Sequence, residues 1–409
     1  MKHGKLWVNL SIIGIFTVAL LGFILRCKIL FDIRFIDYNR LLDAHEHFAF
    51  AGWVTLALIY LMVLEILPQE LNKRPLYQWV LGGIVLTAWG MLCTYPFGQL
   101  ITISDFFSTA FIIITYVFGV VFIRDIIKSK ASQPVKLLAI SSVLSLMLSS
   151  VAIFTLAYLF SINSLNAILY RDALFTYLHL QYNGFFALAV FALLFHKMDS
   201  KMSYQARRNV RRLSIFLSCS ILPSLFISFL WQDPVVIIRI IAIIGSIFLL
   251  LSFIWLIVTG LSMIEEVMEI TPVMRVLGIM ALSAFMLKEL LQSFTIFPAI
   301  GDMVFGNRPI IIGYLHLVFL GFVTPFILIY YTHLKVFSLK SKFTFTAFIF
   351  FIVGIVLNEI MLMTQGMGEM IIKSTYLFPW LLWGISIVLF IGATLITIAR
   401  FSTNSKAKS

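Results

Sequence analysis

The chain has 409 residues, 61% hydrophobic and only 12% charged, with a net charge of +12. Soluble domains carry about 25% charged residues. This composition, with a mean hydropathy of +1.03, therefore excludes an ordinary soluble enzyme and implies an all-α integral membrane protein. No long polar stretch is left over, so the function is expected in or beside the bilayer.

Twelve segments are apolar over the roughly 20 residues that a bilayer core requires. They are residues 6–25, 42–67, 76–95, 104–123, 137–162, 172–196, 213–231, 235–262, 273–295, 310–334, 343–363 and 376–399. The first is long for a signal peptide, and Leu25-Arg26-Cys27 is not a small-residue cleavage site, so it is read as span one. Span two carries HEHFAFAGW, from His45 to Trp53, and Glu65 near its end. Span six carries YLHLQYNGF at 177–185, and the basic run Lys197 to Arg212 follows it. Span seven has Cys219 but no histidine, span nine holds Lys288 and Glu289, span ten carries YLHLVFLGF at 314–322, and span eleven holds Glu359. Cys27, Cys93 and Cys219 form no CxxC pair and say nothing about disulfides.

The basic residues speak against nucleic acid. Of the 30 Lys and Arg, 21 fall at the termini, in the even-numbered loops or at their edges. That is the positive-inside bias, and it predicts both termini in the cytoplasm, with the basic loops acting as topology signals and lipid contacts.

The two nine-residue copies share six identities, and the span-two copy keeps His47, Gly52 and an aromatic after the glycine. His47, His179 and His316 are 132 and 137 residues apart, one four-helix unit each time. The chain thus reads as a single membrane domain, 1–409, of three pseudo-symmetric four-helix modules at about 1–130, 131–268 and 269–409. Gly52, Gly184 and Gly321, each five residues after its histidine, would let a helix or a flat ligand approach closely.

Histidines at membrane depth usually face a bundle interior. Neutral imidazole ligates haem iron and copper, but a lone membrane histidine is as readily an interhelical hydrogen-bonding residue. Three in one motif favour a cofactor or ion site, which makes His45, His47, His179 and His316 the candidate metal ligands. His45 and His47 point about 200° apart on a helix, so they cannot serve one ligand from one face. Arg40, Arg171 and Arg308 lie seven or eight residues before the three histidines and could pair with carboxylates, or simply contact lipid phosphate.

Twelve spans, a threefold repeat and histidines on spans two, six and ten resemble subunit I of the haem–copper oxidase superfamily, which includes cbb3-type oxidases and nitric oxide reductases. The HxHxxxxG from His45 to Gly52 also resembles a motif of NnrS-type membrane proteins. The resemblance implies a low-spin b-type haem held by His47 and His316, with Gly52, Gly321, Arg40, Arg171 and Arg308 around it, and His179 as a copper ligand. The chain departs from the pattern. Tyr314 replaces the high-spin haem ligand, and span seven lacks the two further copper histidines.

The expected function is accordingly haem-based electron transfer, or sensing or detoxification of nitric oxide or dioxygen, in a bacterial inner membrane with a redox partner protein, and not oxygen reduction. The alternative is a transporter or channel for protons, copper or a small solute. A third is a scaffold subunit whose histidines only join helices.

Overall fold

The computed structural model describes residues 2–263, 271–339, 341–371 and 376–406. The expected boundary between the second and third modules falls at 268–269, outside these residues. The described residues are helical, with no strand among them. Eleven helices are long and apolar enough to cross a membrane: α1 (Gly4–Leu30), α2 (Tyr38–Ile66), α3 (Pro75–Thr94), α4 (Gly98–Lys128), α5 (Gln133–Ser161), α6 (Ala167–Met198), α7 (Tyr204–Gln232), α8 (Val236–Leu261), α10 (Arg308–His333), α11 (Lys342–Gly368) and α12 (Leu377–Ser402). The remaining long helix, α9 (Pro272–Phe294), sits where the sequence predicts span nine. It carries Arg275, Lys288 and Glu289 and is not among the eleven. The chain is an all-helical integral membrane protein.

Short polar residues set several helix starts by taking up amide hydrogens that the first turn leaves free. Asp37 accepts from the backbone N–H groups of Asn39 and Arg40 at 2.9 and 3.1 Å. Asn166 accepts from Leu169 at 2.9 Å and Ser203 from Ala206 at 3.1 Å. Each of these caps precedes α2, α6 or α7.

The motif helices share one irregularity. Starting inside each motif, just past its histidine, the backbone widens into a seven-residue π-helix: Ala49–Thr55, Leu180–Phe186 and Leu317–Val323. Such turns are rare and concentrate at functional sites, and here they recur at the same place in three helices. These helices are also the most buried of the eleven, at 78%, 83% and 56% of their apolar windows, against at most 50% elsewhere.

The chain forms two compact units. The first comprises Met1–Tyr60, Gln78–Ile114 and Arg308–Ser409, and the second Leu61–Tyr77 and Thr115–Asn307. In the first unit, glycines allow close helix approach. A Cβ on Gly14 would come within 3.0 Å of the Gly52 carbonyl, and one on Gly392 within 2.7 Å of the Phe351 backbone. Polar bonds tie one end of this unit: Arg400 donates to Asn9 at 2.8 Å, and the hydroxyls of Ser11 and Tyr331 pair at 2.6 Å.

In the second unit, Asp125 is buried and holds Arg74 through two bonds of 2.7 and 2.8 Å, with the Tyr77 hydroxyl donating at 2.8 Å. Gly184 abuts α5, where an added Cβ would lie 2.4 Å from Ser145 Cβ. That carbon cannot swing away as a flexible side-chain end would, so the helices must separate. Gly184→Ala is expected to cost about 1–3 kcal/mol. Thermal unfolding in detergent measures this, and an unchanged Tm would contradict the packing described.

Candidate functional site

The first unit encloses a cavity of ≈ 250 Å³ between α1, α2, α10, α11 and α12. On α1 its lining runs from Ile15 to Ile29, roughly 21 Å of helix at 1.5 Å per residue. Phe23, Phe50, Trp53, Phe319 and Phe351 make much of the wall. Phe50 and Phe319, equivalent positions of two motif copies, pack in a tilted arrangement with centroids 4.6 Å apart and planes at 57°. Near them the Trp53 indole N–H donates to the Thr324 hydroxyl at 3.4 Å.

Two imidazoles face this space, His45 from α2 and His316 from α10. The Nδ1 of His316 lies 2.8 Å from the Ile312 carbonyl. A carbonyl can only accept, so Nδ1 carries the proton and Nε2 keeps its lone pair, the arrangement typical of a metal-bound imidazole. The Nδ1 of His45 is buried and has no hydrogen-bond partner among the described residues. Gly22 makes room for this ring, since a Cβ there would come 3.4 Å from His45 Cε1. Arg26, near the end of α1, and Arg308, which opens α10, also line the cavity, and Arg26 lies within electrostatic range of both histidines. Glu46 and Asn358 add the remaining strongly polar groups of the lining that bear on the site.

The other sequence-derived candidates are placed elsewhere. His47 is not in the cavity lining. Its Nδ1 donates to the Asp43 carbonyl at 2.9 Å and its ring lies against Tyr95, with centroids 4.5 Å apart. The Tyr95 hydroxyl is 3.4 Å from His47 Nε2. Arg40 packs on Gly98, where a Cβ would meet its Cζ at 2.7 Å. A Cβ on Gly52 would come within 2.6 Å of the Phe48 ring, and Gly321 is buried in its π-helix.

His179 and Arg171 belong to the second unit. His179 is fully buried, and its Nε2 donates to the Ile221 carbonyl at 2.8 Å. Its Nδ1 therefore accepts, from Asn183 Nδ2 at 3.0 Å. Asn183 also donates to Gln292 at 3.1 Å. Both ring nitrogens are engaged, which leaves no lone pair for a metal in this arrangement. On α9, within four residues of Gln292, the adjacent Lys288 and Glu289 are buried as an ion pair at 2.5 Å, 3% and 2% exposed, with Glu289 Oε2 unpartnered among the described residues. Arg171 stacks on Trp231 at 4.2 Å and donates to the Phe305 carbonyl.

Among the described residues no group of three or more His, Cys, Asp or Glu is arranged around a metal. A pair of axial imidazoles supplied from opposite walls would not form such a group. The donor set of the cavity fits a haem: two imidazoles, apolar and aromatic walls, and two guanidinium groups for carboxylates. Thr324 and Asn358 carry no sequence signal, because only packing assigns their faces. No protein-family model matches the chain, and no curated protein matches it at a significant level, so every residue role rests on this geometry.

Proposed function

We propose that this protein holds a b-type haem in the cavity of its first unit, with His45 and His316 as axial ligands and Arg26 and Arg308 facing the propionates. The supporting observation is that two histidines 271 residues apart in the chain line one aromatic cavity, one with its Nδ1 proton anchored and the other with an unpartnered Nδ1. Two protein ligands leave no open coordination position, which favours electron transfer over gas chemistry. A haem supplies a one-electron carrier there. The chain's own residues would hold it through the His45 and His316 imidazoles, pack it between aromatic walls and pair its carboxylates with Arg26 and Arg308. His179, with both nitrogens engaged, supports a reading without copper.

The proposal places the protein among haem–copper-oxidase-like membrane proteins, with twelve spans in three modules, in a bacterial inner membrane with both termini cytoplasmic. A redox partner protein supplies or takes the electron, and nitric oxide or dioxygen sensing or detoxification is the setting the NnrS-type motif suggests. The buried Lys288–Glu289 pair favours a second reading, a proton transporter, because intramembrane charges mark ion pathways.

A reduced-minus-oxidised absorption spectrum of the purified protein, with haem quantified, decides between them. Sharp low-spin bands at one haem per chain are expected. A colourless protein from haem-replete cells would overturn the haem reading in favour of the transporter.

A further inference from the structure

Glu359 on α11 takes no part in the site described above. Its Oε1 accepts from Asn358 Nδ2 at 3.2 Å, and Asn358 lines the cavity. Its Oε2 is sealed from solvent and has no partner among the described residues. Helices α10 and α11 pair antiparallel. A Cβ on Gly313 would meet Leu362, and one on Gly366 would meet Ile310. That register brings the turn of Asn358 and Glu359 level with His316, with no hydrogen bond between Glu359 and His316 among the described residues.

Among the described residues, the elements packed against α11 set no charged partner beside this carboxyl. From α10 come His316 and, two turns away, Arg308. At this level α12 offers Trp383, Gly384 and Ser386, and the π-helix Leu317–Val323 has no titratable residue. Among the described residues Glu359 makes no ion pair. Negative charge there is compensated by a single amide donor, so it is sensitive to any other charge that arrives in the same low-dielectric region.

We propose that Glu359 is a proton-binding site coupled to the redox state of the cavity, an inference that rests on the haem reading above. When one electron arrives from a one-electron donor, which is thereby oxidised, Glu359 Oε2 takes one proton from hydronium of the bulk solvent: an O–H bond of the hydronium breaks, leaving water, and an O–H bond to Oε2 forms. On reoxidation that bond breaks and the proton returns to water. The neutral acid accompanies the reduced state. Raising the pH withdraws the proton and disfavours reduction, so the midpoint potential falls as pH rises.

The test is a redox titration of the haem absorption at a series of pH values, with infrared difference spectra of the same samples. The wild-type midpoint is expected to fall with pH, approaching the ~59 mV per unit of one proton per electron, and a carboxyl C=O band should appear on reduction. Glu359→Gln should flatten the slope and abolish the band, Glu359→Asp should keep both, and Glu70→Gln, at an exposed position of the other unit, should change neither. A slope and band unaltered in Glu359→Gln, or a flat wild-type midpoint, would overturn the role of Glu359 and leave the haem standing. A protein with no haem overturns both.

Discussion

With haem bound as proposed, alanine in place of His316 is expected to abolish its low-spin spectrum and to lower retained haem by at least roughly ten-fold, the scale seen when metal-site support is lost. His45→Ala should do the same. His47→Ala should leave the spectrum intact, because His47 faces Tyr95 and not the cavity. The comparison is sharp because His45 and His47 are two residues apart on one helix. Absorption and haem content of the three purified variants measure it. Loss of haem in His47→Ala with retention in His45→Ala would reverse the assignment.

The second large effect is expected in the other unit. Lys288→Met leaves Glu289 as a buried carboxylate with neither its cation nor a partner for Oε2. Removing one member of a buried pair costs about 3–5 kcal/mol, whereas replacing both by apolar groups is often near neutral. The single variant should therefore unfold at much lower temperature, and Lys288→Met with Glu289→Leu should recover most of the loss. Fluorescence-detected thermal unfolding measures both. Equal Tm values for the single variant and the parent would show that the pair does not hold this core.

The spans and the three motif copies are legible in the letters, because apolar length and a repeated His-x4-Gly are local properties. Which histidine faces the cavity is not. Helical periodicity separates His45 from His47 but cannot say which side of α2 meets α1, and the expected His47–His316 pairing is not what the cavity brings together. The π-helices widen the backbone between the histidines and Trp53, so a helical wheel drawn through the span misplaces the residues beyond. Asn358 and Gly22 acquire their roles only through helices that are distant in sequence. The Lys288–Glu289 pair is visible in the sequence, but its joint burial on α9 is not.

The discontinuity of the first unit sets an order of events during synthesis. The wall that bears His45 is made before most of the second unit, and the wall that bears His316 emerges only after the whole of it. Until then the early helices lack their partners, with polar groups of α2 and α1 facing lipid or transient neighbours. A ligand that spans both walls can therefore be captured only at the end of insertion. Chains that stall before α10 would carry every residue of the second unit and still be unable to load.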